Sequence, residues 1–121
     1  MPLMETHSPF KSAYLRFLQL ISAVEAMPGL EDFDANERAL FDSLCLSWSQ
    51  EKSMTVRQAI SQVNLGSPAT LHKRLQRLIA KGLIVAEGAE GDRRTKYLRP
   101  AEKGLDYVKW LSSQITSVQT S

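Results

Sequence analysis

Residues 66–84 read GSPATLHKRLQRLIAKGLI, and this stretch decides the fold. Leu71, Leu75, Leu78 and Ile79 recur at helical spacing, so one face of the helix belongs to a core. Thr70, Lys73, Arg74, Arg77 and Lys81 fall on its other sides. Ser67 suits the cap position and Pro68 the first helical one, where the missing proline N–H has no intrahelical partner to lose. Gly82 supplies a stop. Just upstream, Thr55-x-x-Gln58 is a cap-like pair opening a short helix through about Val63, with Val56, Ala59, Ile60 and Val63 as its buried stripe. That helix ends at Asn64-Leu65-Gly66, so only a tight turn precedes Ser67. The two helices make a helix-turn-helix.

Working outward, Ser8 and Pro9 suit the start of a first helix that runs to about Ala26, before Met27-Pro28-Gly29. Asp34-x-x-Glu37 is a capping-box-like start to a second helix, in which Leu40, Phe41, Leu44, Cys45 and Trp48 recur at helical spacing until Lys52 and Ser53. Beyond Gly82, Leu83-Ile84-Val85-Ala86 has the β-branched content of a short strand. GAEGDRR, residues 88–94, is the turn into a second strand, Thr95 to Arg99, which gives a hairpin with a polar, basic tip. Pro100 opens a last helix with Ala101, Leu105, Val108, Leu111, Ile115 and Val118 three or four residues apart. The expected fold is mainly α with one small hairpin, in a single domain spanning 1–121.

Charge is divided along the chain. The net charge is +2, yet residues 1–50 carry three basic residues against seven acidic and residues 51–121 carry twelve against six. The basic half contains the helix-turn-helix, a hint of a polyanionic partner. No apolar run approaches the roughly 18 residues of a membrane helix. MPLMETHSPF lacks the regions of a signal peptide, so the expected place is the cytoplasm. A single cysteine, Cys45, excludes an internal disulfide and a cysteine-based zinc cluster.

These features resemble the MarR (multiple antibiotic resistance regulator) family of winged helix-turn-helix regulators. The resemblance covers roughly Asn36 to Gly104 and rests on Leu40 and Leu44, Thr55, SPATLHKRLQRLIAKGLI, GDRRTKYLRP and Lys103-Gly104. It implies a homodimeric regulator that binds double-stranded DNA at a pseudo-palindromic site, with residues 67–81 as recognition helix in the major groove. A helix fits that groove and presents its N-terminal side chains to base edges. Ser67, Ala69, Thr70, His72, Lys73 and Arg74 are the candidates there, with Arg77 and Lys81 as phosphate contacts. The hairpin matches the family's wing, which implies minor-groove contact by Arg94 with Asp92 orienting it, and phosphate contacts by Arg93 and Lys96. A guanidinium suits a narrow A·T-rich groove because it is the cation least costly to desolvate. The resemblance also implies a small-molecule effector, which no residue identifies. Three departures stand out: Arg74 occupies a usually apolar place, Pro100 replaces a common threonine, and one helix follows the wing where two are usual.

The terminal helices carry more apolar surface than one small domain covers. Phe10, Tyr14, Phe17, Ile21 and Val24 form one stripe; Leu105, Val108, Leu111, Ile115 and Val118 form another. Residues 8–27 and 101–118 are therefore expected to make a two-fold dimer around a lobe at 34–100. No enzyme is expected: His7 and His72 lie far apart in sequence, and nothing pairs a nucleophile with a base or gathers metal ligands. Neither metal nor cofactor is called for. Glu31, Asp32 and Asp34 read as a solvated turn, and Cys45 between Leu44 and Leu46 as an inert thiol. The alternative function is a winged-helix module for protein interaction, DNA architecture or replication without promoter control.

Overall fold

The computed structural model describes residues 12–25, 27 and 29–120. In order they form α1 (Ala13–Glu25), α2 (Ala35–Ser49), α3 (Val56–Ile60), α4 (Pro68–Ala80), β1 (Ile84–Ala89), β2 (Asp92–Pro100) and α5 (Glu102–Thr120). The strands pair antiparallel as one hairpin, so the fold is the expected winged helix-turn-helix. Ser8, Pro9 and Phe10, assigned above to the start of the first helix, lie outside the described residues.

The chain divides into two compact units. One contains the described residues up to Asp32 and those from Tyr107 onward, and the other is Phe33–Asp106. The second unit holds the helix-turn-helix and the wing. Its core is built from the apolar positions of each period: Leu40, Phe41 and Leu44 of α2, Ala59 of α3, Leu71, Leu75 and Leu78 of α4, and Leu83, Ile84 and Leu98 around the hairpin. Phe41 meets Phe33 and Trp48 edge-on, with ring centroids 6.2 and 6.1 Å apart. Trp48 Nε1 donates to the Leu98 carbonyl at 3.0 Å, and Leu98 N donates to Met54 O at 2.8 Å. The two backbone groups of Leu98 thus tie β2 to the end of α2 and to the segment that follows it.

The caps account for the helix starts. Asp34 Oδ1 accepts from Glu37 N at 2.8 Å. Thr55 and Gln58 form a reciprocal capping box, with bonds of 2.9 and 3.1 Å. Ser67 caps α4 with Pro68 in its first turn, as expected.

The end of α3 differs from the sequence expectation. It stops at Ile60, because Ser61 Oγ donates to Arg57 O at 2.6 Å and Gln62 Nε2 to Ala59 O at 3.0 Å. These side chains take carbonyls that another helical turn would need. Val63 consequently lies outside the helix and is 87% exposed, not part of a buried stripe. The hairpin is also longer than expected. Strand pairing reaches Ala89 and resumes at Asp92, leaving Glu90-Gly91 as the turn and an irregularity between Gly88 and Ala89.

Pro100 does not open the last helix. It ends β2 opposite Ile84, a strand-terminal place where a missing N–H is tolerated. The helix follows from Ala101, whose N–H donates to Leu83 O at 3.0 Å and whose carbonyl accepts from Leu105 N at 3.0 Å. A Cβ on Gly104 would collide with the same Leu83 carbonyl, so glycine lets α5 cross the end of the α4–β1 connection directly.

In the other unit, Val24, Leu30 and Tyr107 are buried. Val24, placed above in a dimer stripe, is wholly enclosed within its own chain. Tyr14 and Phe17 of α1, by contrast, are 68% and 46% exposed. Leu18, Val108 and Ile115 are exposed too, while Ile21 and Leu111 are half-buried; Leu105, of the Phe33–Asp106 unit, is exposed as well. Val118 has a described backbone only. No helix among the described residues is long and apolar enough to cross a membrane.

Candidate nucleic-acid interface

The amphipathic pattern of α4 divides it cleanly. With Leu71, Leu75 and Leu78 inward, the helix exposes Ala69, His72, Lys73, Gln76 and Arg77, preceded by exposed Ser67. Thr70 is half-buried, and its hydroxyl accepts from Ser67 Oγ at 2.9 Å while its N–H is capped by the same oxygen at 3.3 Å. Thr70 is therefore held by the cap at the rim of the exposed face.

Two basic residues of the opening stretch are engaged within the chain. Arg74 is half-buried, and its guanidinium donates to the Leu65 carbonyl at 3.0 Å, across the turn that joins α3 to α4. This accounts for a cation at a position that the family resemblance leads one to expect apolar: the half-buried side chain satisfies a turn carbonyl with its head. Lys81, the C-cap of α4, is paired with both oxygens of Glu37, the Oε2 contact being 2.8 Å. Glu37 is 1% exposed and stands in the first turn of α2, where the helix dipole favours a carboxylate. The acid expected to complete a capping box instead ties α2 to the end of α4.

The remaining cations on this side are arranged differently. Among the described residues, Arg57, Lys73, Arg77, Arg94 and Lys96 have no carboxylate within ion-pair distance, whereas Lys81 and Arg99 do. Such unneutralised groups are available to an external anion.

In the wing, Asp92 Oδ1 accepts from the backbone N–H groups of Arg94 and Thr95 at 3.0 and 3.4 Å, and Oδ2 accepts from Thr95 Oγ1 at 2.7 Å. The Thr95 hydroxyl first, then the two N–H groups, hold this carboxyl below the usual carboxylate range. Asp92 thus orients Arg94 through its backbone. Arg94 and Lys96 are exposed; the Arg93 side chain lies outside the described set. Farther down the strand, Arg99 meets Glu87 at 3.3 Å and Ser53 Oγ at 3.1 Å.

Among the described residues no cluster of three metal-ligating side chains occurs, and His72 stands exposed on α4. Cys45 is half-buried; burial first, and then the charge of Asp42, push its thiol up to about 11, which keeps it protonated at neutral pH. Sequence reasoning missed the partnership of Glu37 with Lys81 and the exposed guanidinium of Arg57. Only the former left a trace, as a glutamate at a spacing suited to a cap.

No protein-family model matches the chain, and no curated protein does. Solved structures do. The heme sensor protein PefR from Streptococcus agalactiae, in complex with heme, is similar at 17% identity and a TM-score of 0.54, over 94% of this chain and 78% of that one. The transcriptional regulator PA4135 is similar at 22% identity and 0.53, over 88% and 77%. A MarR protein from Peptoclostridium difficile is similar at 18% and 0.51, over 93% and 74%. The arrangement of a capped helix-turn-helix, a braced hairpin and flanking helices is therefore a MarR-like winged helix-turn-helix fold.

Proposed function

We propose that the chain is a cytoplasmic, homodimeric transcriptional regulator that binds double-stranded DNA in a sequence-specific manner. The observation that carries the reading is the set of unneutralised cations on the exposed face of α4 and on the adjacent wing. In this reading α4 enters the major groove. Lys73 donates to guanine O6 and N7, Ala69, Thr70 and His72 approach base edges, and Ser67 with the first free N–H groups of α4 holds a phosphate. Arg77 anchors the backbone. Arg94 enters the flanking minor groove, with Arg93 and Lys96 on phosphates. Arg74 and Lys81 act through the protein, fixing the turn and the far end of the helix.

The exposed apolar side chains of α1 and α5 supply the dimer seam: Tyr14, Phe17 and Leu18 with Leu105, Val108 and Ile115, extended by Ile21 and Leu111. A two-fold dimer presents two copies of α4 to a pseudo-palindromic site. The likeness to PefR, which is bound to heme, supports a small-molecule effector for this chain too. The test is enrichment of genomic fragments on the protein, followed by fluorescence titration of the enriched duplex against random duplex at fixed salt. A preference of about a thousandfold or more supports a regulator. Equal affinity for all duplexes supports an architectural module instead.

A further inference from the structure

Both α4 and the wing are tied to α2, at its opposite ends. In the first turn of α2, Glu37 holds Lys81 at the end of α4, with the Oε2 contact at 2.8 Å. About three turns later, Trp48 Nε1 donates to the Leu98 carbonyl at 3.0 Å, and Leu98 N donates to Met54 O at 2.8 Å. Thr55 forms an antiparallel bridge with Tyr97 beside them, on the edge of β2 that does not pair with β1. Toward the tip, the N–H groups of Arg94 and Thr95 turn instead to Asp92 of the same strand. The hydrogen bonds that orient the wing from this edge therefore lie at its root. Trp48 brings to that root something that packing does not need. Its edge-on contact with Phe41, at 6.1 Å between ring centroids, requires an aromatic ring but no N–H. The indole adds one donor, directed at the strand that carries Arg94.

We propose that Trp48 is a positioning residue for the wing: its N–H, acting through the Leu98 carbonyl, sets the angle at which Arg94 is presented and so governs preference for the sequence flanking the operator. The inference rests on the DNA-binding reading above, in which Arg94 enters a minor groove. Arg94 stands about 13 Å from Leu98 along an extended strand. A tilt of about 10° at the root then moves it by about 2 Å, more than the whole range of lengths of a hydrogen bond. Reading a narrow groove is the contact most sensitive to such a shift. The contacts of α4 are not on this lever, because α4 is held by Arg74 at its turn and by Lys81 at its end. Loss of the Trp48 hydrogen bond should therefore separate flank reading from base reading.

The experiment titrates the enriched operator with A·T flanks and with G·C flanks, at fixed salt, against the full-length protein, Trp48→Phe, Arg94→Ala and the double variant. Phenylalanine keeps an aromatic ring on Phe41 and removes the donor. Trp48→Phe should lose about three- to tenfold on the A·T-flanked operator, the size of one net hydrogen bond, and less than about twofold on the G·C-flanked one. Its discrimination between matched and mismatched bases inside the half-sites should be unaltered. In the Arg94→Ala background, Trp48→Phe should add no more than about twofold. A benzothienyl analogue of tryptophan at position 48, which keeps the shape of the indole and lacks its N–H, gives the same measurement if the phenylalanine variant does not fold. Equal losses on both operators, or additive losses in the cycle, would overturn the proposal and leave Trp48 a packing residue, with the regulator reading intact. Unaltered protein that binds both flanks alike removes the flank reading of Arg94 and this proposal with it. If the unaltered protein binds no duplex, the regulator reading itself fails.

Discussion

Lys81→Met removes one member of the ion pair between the end of α4 and the first turn of α2 and preserves most of the side-chain volume. Glu37 is 1% exposed, and both its oxygens face the Lys81 ammonium. Removing one partner of a buried pair costs about 3–5 kcal/mol, because the other charge remains without compensation. The Lys81 side chain is 16% exposed, so water reaches the vacated position and the loss should sit near the lower end. With a urea slope of about 2 kcal/mol/M, a loss of about 3 kcal/mol lowers the denaturation midpoint by about 1.5 M. Replacing both members, as Glu37→Leu with Lys81→Met, should recover most of the stability, since an apolar pair of similar volume avoids the desolvation of two charges.

The same variant separates two uses of Lys81. If the lysine holds Glu37, the salt dependence of duplex binding measured on folded Lys81→Met should match the unaltered protein. If it anchors a phosphate, the slope should fall by about two units per dimer. A stability within about 0.5 kcal/mol of the unaltered protein, together with a reduced slope, would refute the reasoning.

Arg77→Ala should lower the salt slope by about two units per dimer and weaken all duplexes alike, while Lys73→Ala should cost about 1–3 kcal/mol on the operator and relax specificity at one position of each half-site; matched titrations at several salt concentrations compare them. Ile115→Glu places a charge in the proposed seam, so sedimentation at micromolar concentration should change from twice the chain mass to a monomer, and an unaltered protein already monomeric there removes the two-fold argument. Asp92 has a lowered carboxyl pKa in the fold, so its brace on the wing is present above the ordinary carboxylate value and is lost as pH falls through the lowered one; NMR titration of the Thr95 amide should show its main shift below the usual aspartate range. Cys45 alkylation should be slow at neutral pH and accelerate as pH rises toward about 11, whereas rapid neutral labelling would contradict a protonated, half-buried thiol.

Much of the fold was legible because it depends on local chemistry. Ser67 and Pro68 mark the start of α4, Gly82 its end, and the leucine spacing its buried face. Thr55 and Gln58 announce α3 by the same logic. Its end was not legible, because Ser61 and Gln62 turn back onto α3 carbonyls, a choice that periodicity does not record. Pro100 suited a helix start by type alone, yet pairing with Ile84 keeps it in the strand. The cations divide similarly. Lys73, Arg77, Arg94 and Lys96 are exposed, as their positions suggest, but Lys81 meets an acid 44 residues earlier in the chain, and Arg74 meets a turn carbonyl nine residues back. Sequence spacing within one helix cannot show which cation finds a partner on another element.

The placement of α4 in the major groove and of Arg94 in the minor groove is tested most directly by dimethyl sulfate protection on the enriched duplex. The reagent methylates guanine N7 in the major groove and adenine N3 in the minor groove, so one gel reads both contacts. Bound protein should protect guanine N7 in two patches about 10 base pairs apart, centre to centre, with adenine N3 protected on the outer flank of each. Saturating protein that leaves guanine N7 fully reactive would contradict the account.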